Sequence, residues 1–276
     1  MIADLHIHTT FSDGLLTPEE VVDLAAKKEL DGIAITDHDT TLGIDRAIER
    51  SKIYKDIQVI PGIEFSCIYN TEEIHILGYF IDYKSPDLVQ LTDNLILERR
   101  NRGYKIIDRL NTLGINITID DVKKFSGENN IGRPHIARAL IEKGWVHNID
   151  EAFNKYLEMG KAAYIERYKL SIEDSIDIIH KSKGIAVIAH PGLIKNKDII
   201  YHCIKIGIDG IETVHSKHSK KEIEFYTKLA NEHNLINTGG SDCHGELIDG
   251  DYMLGKYYIY LDDFNQMKGL NQNGKL

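Results

Sequence analysis

A histidine pair near the start of the sequence is the first feature that could do chemistry. His6 and His8 lie on Ala3–Thr9, a segment that alternates apolar and polar residues as a strand does. Residues i and i+2 of a strand point to the same face, so both imidazoles can reach one metal ion. Asp13 follows in a glycine-containing loop and offers a carboxylate. Taken alone, the pair fits a packed strand as well as a metal site.

Similar residues follow five other short apolar runs, each where a strand is predicted to end. Each of them has a plain structural explanation when taken alone, since a single histidine is usually a packed residue and an aspartate often caps a helix. Taken together, these residues have no plain structural explanation, because buried charges need partners or metals. The predicted metal ligands are His6, His8, Asp13, His38, Glu64, His75, His190, Asp242 and His244.

These nine groups exceed the ligand number of one tetrahedral or octahedral ion, so two or three clustered divalent ions are expected. Mixed imidazole and carboxylate ligands suit Mn, Fe or Zn. A carboxylate such as Glu64 could bridge two of the ions. Ions about 3.5–4 Å apart activate water and clamp phosphate oxygens, so the predicted chemistry is hydrolysis of a phosphate ester.

The elements that must position these residues alternate between strand and helix. The sequence TPEE at 17–20 is a capping box with proline at the first helical position, and it predicts a helix start. Alternation of this kind predicts an α/β fold with a parallel sheet, and about seven units favour a barrel whose chemistry lies at the strand C-termini. The predicted strands are Ala3–Thr9, Gly32–Thr36, Gln58–Phe65, Glu73–Phe80, Gly184–Ala189, Gly210–Val214, Leu235–Thr238 and Lys256–Leu261.

Residues 85–160 break this alternation, because they show helical periodicity and almost no strand signal. Ser85 and Pro86 predict the start of a long helix, and Gly114 predicts its end. Shorter helices are expected at Ile119–Phe125, Pro134–Lys143 and Asp150–Leu157. The predicted organisation is a barrel formed by residues 1–84 and 161–276, with a helical insertion, or cap, at 85–160.

Composition excludes several classes of function. Forty-three acidic against 33 basic residues give a net charge of −10, which disfavours stable binding of duplex nucleic acid. No apolar run approaches the roughly 18 residues of a membrane span, and the N-terminus lacks the pattern of a signal peptide. The three cysteines are far apart, as expected of reduced thiols. We therefore expect a cytoplasmic protein without membrane partners.

The motifs that carry the predicted ligands resemble those of the PHP (polymerase and histidinol phosphatase) superfamily. Four appear in order: DLHIHTTFSDG at 4–14, ITDHDT at 35–40, AHPG at 189–192 and GGSDCHG at 239–245. PGIEFS at 61–66 and EIHILGY at 73–79 complete the pattern. The resemblance implies a distorted seven-stranded β/α barrel, a trinuclear metal centre and a phosphoric ester hydrolase.

The resemblance also implies how the ligands are shared among the ions. The implied sets are His6, His8, Glu64 and Asp242 for the first ion, Asp13, His38 and His244 for the second, and Glu64, His75 and His190 for the third. Replacing Asp242 is expected to remove turnover and leave the fold intact. Cys243 lies between two ligands, but strand alternation turns its thiol away from the metal side, so a packed thiol is expected.

The insertion is similar to the small domain of the nucleoside-3′,5′-bisphosphate phosphatase and 5′→3′ exoribonuclease group. Its segment GRPHIARAL at 132–140 looks like a substrate-binding stretch, in which Arg133 would grip phosphate and His135 would assist. From the residues alone, a plain helix start with Pro134 at its first position is the alternative.

His218, in the loop after the sixth predicted strand, matches a residue of that group. The resemblance implies that it contacts phosphate or protonates the leaving group, and His215 nearby is a weaker candidate. Arg99, Arg100 and Arg102 on the long helix are expected to form a solvated face, with the alternative that one of them reaches the pocket.

The function implied is removal of the 3′-phosphate from nucleoside 3′,5′-bisphosphates, with trimming of short 5′-phosphorylated RNA left open. One alternative is a phosphatase for another small monoester of the histidinol phosphate type, and a cyclic phosphodiesterase is a third option. From a different class, the chain could be a non-catalytic, metal-stabilised binding module. The intact set of nine ligands argues against that last alternative.

Overall fold

A sheet of eight strands forms the frame of the molecule. The computed structural model describes residues 2–126, 131–166, 168 and 170–260. Across these residues the strands of the main sheet are β1 (Ile2–Ile7), β2 (Gly32–Ile35), β3 (Gln58–Tyr69), β4 (Glu72–Tyr79), β5 (Ile185–Ile188), β6 (Gly210–His215), β7 (Ile236–Gly240) and β10 (Ile259–Tyr260). A separate small hairpin is formed by β8 (Leu247–Ile248) and β9 (Asp251–Tyr252).

The strands follow the order β10-β1-β2-β3-β4-β5-β6-β7, so β1 to β7 lie side by side in chain order in an eight-stranded sheet, where seven strands were expected. The prediction of a fully parallel sheet is wrong at three pairs, because β3 with β4, β4 with β5, and β1 with β10 are antiparallel. Only Asn70 and Thr71 separate β3 from β4, and so short a link can form only a hairpin. The last predicted strand, Lys256–Leu261, is represented by β10, and Leu261 lies outside the described residues.

The two ends of the sheet meet beside the first strand. His8 donates its backbone N–H to the Cys243 carbonyl at 3.0 Å, and Cys243 donates to the His6 carbonyl at 3.3 Å. Gly240 permits this approach, since a Cβ there would lie 2.4 Å from the backbone nitrogen of His6. The sheet is therefore nearly closed into a barrel, and the strand ends that carry the predicted ligands face one another.

Helices cover the outside of the barrel. The α-helices are α1 (Pro18–Lys27), α2 (Ile44–Ser51), α3 (Pro86–Thr112), α4 (Ile119–Lys123), α5 (Arg133–Glu142), α6 (Ile149–Ala152), α7 (Ile172–Lys181), α8 (Asp198–Lys205) and α9 (Lys220–Glu232). The predicted capping box is confirmed at α1, where the Thr17 hydroxyl accepts from the Glu20 N–H and the Glu20 carboxylate accepts from the Thr17 N–H. None of the helices in the described ranges is long and apolar enough to cross a membrane.

Buried apolar side chains form separate clusters around this frame. Leu5, Ile60 and Leu77 belong to a cluster drawn mainly from the strands, and two further clusters join strands to the covering helices. All three cysteines are buried and free, as predicted. Cys243 packs in the apolar layer that contains Val21 and Ile33, which confirms a packed thiol.

The segment from α3 to Ala163 has an apolar core of its own, which includes Leu110, Ile136 and Leu140. The helix predicted at Asp150–Leu157 is α6 followed by a π-helical turn at Phe153–Leu157. The first half of α3 does not belong to this core, because Leu88 and Leu95 pack with the strands and α7. One continuous helix therefore contributes to both cores.

Candidate active site

The nine predicted ligands converge at one end of the barrel. His6 and Glu64 lie on β1 and β3, and His75 lies on β4. The remaining six lie in loops next to strand ends. A register irregularity between β1 and β2 falls between Asp4 and Ile7, and irregularities of this kind re-aim nearby side chains. His6 and His8 point to the same side, as the i, i+2 spacing predicted.

Glu64 occupies the centre of the cluster. Its Oε1 lies 2.9 Å from His75 Nδ1 and 3.0 Å from His190 Nε2. Its Oε2 lies 3.0 Å from His38 Nδ1 and 3.2 Å from His8 Nε2. A single buried carboxylate therefore faces imidazoles on both sides, which is the arrangement of a bridging ligand.

Two further carboxylates complete the cluster. Asp242 Oδ1 lies 3.4 Å from His6 Nε2 and 3.2 Å from His8 Nε2. Asp13 Oδ1 lies 3.4 Å from His244 Nε2, and the two Asp13 oxygens lie 3.8–3.9 Å from His8 and His38. Groups with mutually close donor atoms are His8, Asp13, His38 and His244; His6, His8 and Glu64; His38, Glu64 and His75; and His6, Glu212 and His215.

Burial and charge act against each other in this cluster. Burial opposes ionisation of Glu64, but the other imidazoles around it, His75 and His6 among them, hold the pKa of Glu64 well below its usual range. Burial likewise opposes ionisation of Asp13, and His244 holds its pKa well below the usual range. Burial lowers the pKa of His38 to about 4, so this imidazole is neutral near pH 7. Ionised carboxylates beside a neutral imidazole are suitable ligands for a divalent cation.

Several of these donor atoms have no hydrogen-bond partner although they are buried. Such orphaned atoms are costly unless an ion satisfies them. In the described part of the chain they include His6 Nε2, His8 Nε2, Asp13 Oδ1, His38 Nδ1 and Glu64 Oε2. All five point into the cluster of predicted ligands, so the donor set fits divalent metal ions.

Two ligands also have backbone conformations that L-residues rarely adopt. His190 has φ 30° and Asp242 has φ 55°. Conformations of this kind cost free energy and persist where the surroundings fix them, commonly at functional sites.

Outside the ligand cluster, buried polar residues hold the ligands in place. The Glu212 carboxylate lies 2.8 Å from His6 Nδ1, and His215 Nε2 lies 3.4 Å from Asp242 Oδ2. Asp37 accepts from the Ser12 hydroxyl at 2.5 Å and from the Thr9 hydroxyl at 2.7 Å. From the sequence, Glu212 was noted only as a match to the family group and Asp37 only as a turn residue that could cap a helix; neither was given a role at the site. The available signal was a charged residue within or next to an otherwise apolar strand.

A cavity of about 140 Å³ lies between the cluster of predicted ligands and the helical segment. Its lining includes Asp13, His38 and His75 from the cluster, and Arg99, Arg102 and Arg133 from the helical segment. The prediction that Arg99 and Arg102 form a solvated face is therefore wrong. Arg99 Nη1 lies 3.4 Å from Asp39 Oδ2, and Arg102 donates to the Ile165 carbonyl at 2.8 Å. The first half of α3 packs on the barrel, which turns this stretch of the helix toward the site.

Arg133 lines the cavity, and its contact with phosphate stays a prediction. Its guanidinium donates to Glu73 Oε2 at 2.9 Å and lies over the Phe153 ring at 5.4 Å. His135 is buried, and its Nδ1 accepts from the Gly132 N–H at 3.0 Å, so it caps α5. A contact of His135 with substrate stays a prediction.

His218 is largely buried beside the cluster. Its Nδ1 donates to the Thr213 carbonyl at 3.0 Å, and its Nε2 accepts from the Gly192 N–H at 3.0 Å. Burial lowers its pKa. Since the backbone occupies both ring nitrogens in this arrangement, a role of His218 as leaving-group acid stays a prediction.

An acceptor-rich cluster of histidine and carboxylate side chains at the mouth of an α/β barrel, next to a cavity lined by guanidinium groups, is typical of metal-dependent enzymes that act on phosphate esters. The PHP domain model matches residues 4–190, and the chain therefore belongs to the PHP family. This membership and the named relatives make it a phosphoric ester hydrolase.

Two relatives and one solved structure illustrate the similarity. The 5′-3′ exoribonuclease Rnm of Escherichia coli is 36% identical over 88% of this chain and 85% of its own length. The 3′,5′-nucleoside bisphosphate phosphatase of Chromobacterium violaceum is 33% identical over 87% and 86%. The crystal structure of a protein of Bifidobacterium adolescentis, provisionally described as a metal-dependent phosphoesterase, superposes with a TM-score of 0.87 at 31% identity. The superposition covers 96% of this chain and 94% of the chain from Bifidobacterium adolescentis.

Proposed function

We propose that this protein removes the 3′-phosphate of nucleoside 3′,5′-bisphosphates. The observation that carries the proposal is the inner cavity, whose lining combines predicted metal ligands with the guanidinium groups of Arg99, Arg102 and Arg133. A phosphate held at the metal cluster leaves the rest of the substrate facing three guanidinium groups. A second phosphate on the same molecule is the partner such groups bind best.

The nine ligands would hold two or three divalent ions, and Mn, Fe and Zn all suit the donor set. When bound, these ions would activate water and neutralise phosphate oxygens. Glu64 and Asp242 position the cluster, and each lies within hydrogen-bond reach of imidazoles from several strands. Arg133 is oriented before substrate arrives, because Glu73 and the Phe153 ring hold its guanidinium.

A broader cleft of about 720 Å³ adjoins the inner cavity and shares Glu73, Arg133 and Phe153 with it. It has room for a sugar and a base. Its described lining is acidic, with Glu72, Glu73, Asp150 and Glu158 against Arg133 and Lys195. Carboxylates in such numbers oppose the phosphates of a longer strand, so a nucleotide is favoured over a long RNA.

Trimming of short 5′-phosphorylated RNA is the second candidate function. The similarity to the Escherichia coli exoribonuclease and the open outer cleft favour it. The same acidic lining leads us to expect slower turnover as the RNA becomes longer.

The test measures phosphate release by the Mn²⁺-loaded protein from adenosine 3′,5′-bisphosphate and histidinol phosphate, and release of mononucleotides from a short 5′-phosphorylated RNA. We expect preferred release of the 3′-phosphate, with loss by orders of magnitude in Asp242→Asn. If histidinol phosphate is the one substrate that is hydrolysed, the proposed nucleotide substrate is wrong and the proposed metal site still stands.

Arg133→Met provides a matched test of the second phosphate. Loss of one charge-assisted contact costs about 1.5–3 kcal/mol, or roughly 10- to 100-fold in kcat/KM for the bisphosphate. Turnover of p-nitrophenyl phosphate, which has one phosphate, should change little. Equal losses on both substrates would contradict the proposed role of Arg133.

A further inference from the structure

Glu212 on β6 connects two predicted ligands that come from opposite parts of the barrel. It is fully buried, and its Oε1 lies 2.8 Å from Nδ1 of His6. Its Oε2 accepts the backbone N–H of His190 at 2.6 Å. The two oxygens of one carboxylate are thus used on two different residues, one on β1 and the other directly after β5.

The contact to His6 determines which ring nitrogen is available to an ion. An ionised carboxylate can only accept hydrogen bonds, so the proton of the neutral His6 ring must be at Nδ1. The lone pair is then at Nε2, which is buried without a partner 3.4 Å from both Glu64 Oε2 and Asp242 Oδ1. Glu212 therefore turns the ligating nitrogen of His6 into the cluster.

The contact to His190 holds a strained backbone. His190 has φ 30° and ψ 59° and precedes Pro191, although a residue before proline strongly prefers extended conformations. The hydrogen bond from its backbone N–H to Glu212 fixes this conformation. In it, the side chain places Nε2 3.0 Å from Glu64 Oε1. Without that bond, an extended backbone would carry the imidazole away from Glu64.

We infer that Glu212 is a positioning residue that sets the metal affinity of two ligand sets at once, through the tautomer of His6 and the backbone of His190. The inference rests on the proposed metal site and adds a residue to it. Outer partners of metal-bound histidines typically change affinity 10- to 100-fold. Glu212 acts on one ligand of each of two sets.

Glu212→Gln separates the two contacts while conserving size. The amide has one accepting oxygen and one donating NH₂ group. If the NH₂ group faces His190, two donors meet and the strained backbone loses its anchor. If it faces His6, Nδ1 must accept, the proton moves to Nε2, and that nitrogen can no longer bind an ion. Either orientation impairs one ligand set.

Asp209→Asn is the matched control. Asp209 immediately precedes β6, at the end of the strand away from the cluster. Its Oδ2 also accepts from a histidine ring, His180 Nε2 at 2.7 Å, and from a backbone N–H, that of Ala186 at 2.7 Å. Asp209 has the same two kinds of partner, both on one oxygen, and contacts no predicted ligand, so Asp209→Asn reports the structural cost of replacing a carboxylate beside β6.

The experiment measures Mn²⁺ affinity and stoichiometry at pH 8 by competition with a chelator, and the protonated nitrogen of the His6 ring by ¹⁵N NMR of the Zn²⁺-loaded protein. We expect Mn²⁺ binding 10- to 100-fold weaker in Glu212→Gln and within threefold of normal in Asp209→Asn. The unsubstituted protein should show the proton of His6 at Nδ1.

An Nε2–H tautomer in the unsubstituted protein, or equal affinity in Glu212→Gln, would overturn the inference even if the first variant folds poorly. Absence of Mn²⁺ binding by the unsubstituted protein would instead contradict the proposed metal site.

Discussion

Replacing Glu64 by glutamine tests whether one carboxylate joins the ligand sets. Oε1 faces His75 and His190, and Oε2 faces His38, His8 and His6, all within 2.9–3.4 Å. Glutamine keeps one accepting oxygen and turns an NH₂ donor toward imidazole nitrogens that should carry lone pairs. One of the two sides must therefore lose its ligand, and the other loses the negative charge.

The expected loss of metal affinity follows from the number of ligand sets that Glu64 contacts. An outer partner is worth about 10- to 100-fold in metal affinity. Glu64 faces two sets directly, so we expect an overall loss of at least about 100-fold and up to about 10,000-fold. At about 1.4 kcal/mol per tenfold, this is about 3–6 kcal/mol. Phosphate release should fall in parallel with metal content.

The assay is titration of the metal-free protein with Mn²⁺ against a chelator of known affinity, followed by measurement of bound metal. Glu73→Gln is the control, because Glu73 is not a predicted ligand and lies 3.6 Å from the other ring nitrogen of His75, too far for a strong hydrogen bond. Its effect should stay below tenfold. Retention of the full metal content by Glu64→Gln within threefold of normal affinity would refute the bridging role.

Three other perturbations probe the fold and the site. Gly240→Ala should destabilise the protein by about 3 kcal/mol or more in urea unfolding, because the new Cβ would lie 2.4 Å from the His6 backbone nitrogen; an unchanged midpoint would contradict the close approach. Removing bound metal with EDTA should lower the melting temperature, since Mn²⁺ at 100 times its Kd stabilises by about 2.7 kcal/mol; an unchanged Tm would mean that no ion binds the folded state. The hydrogen bond to Asp209 raises the pKa of His180, so its stabilisation is complete below about pH 6.5 and is lost as the pH rises through the folded-state pKa. The destabilisation in His180→Ala should therefore be larger at pH 6 than at pH 9 and below about 1 kcal/mol, and the opposite trend would contradict the pair.

Local signals in the sequence predicted the elements well, because each has a short-range physical cause. The capping box at 17–20 and the apolar runs placed α1 and the strands within a few residues of their observed bounds. Strand direction has no such signal, since a period of two is the same in parallel and antiparallel strands. The link of two residues at Asn70 and Thr71 would have indicated a hairpin, had β3 been predicted to extend as far as Tyr69.

In the candidate site, too, local features were predictable from the sequence and long-range contacts were not. The ligands were predictable because histidine and acidic residues at strand ends are conspicuous, and the structure brings all nine together. Arg99 was misplaced because helical periodicity shows that a face exists but not what packs on it. Glu212 was not assigned because its importance depends on contacts to His6 and His190, which are far away in the chain. Contacts of that kind become visible only when the strands are assembled.

The continuous course of α3 affects the thermodynamics of substrate capture. Its 27 residues extend over about 40 Å, and its two halves are anchored in different cores by Leu88 and Leu110. Gly103, in the interior of the helix, is packed against Ile131. The stretch of α3 that carries Arg99 and Arg102 is therefore ordered when the chain folds, not when a substrate arrives. The conformational entropy of arranging these residues is lost during folding, so little of the substrate's binding energy is needed to order them.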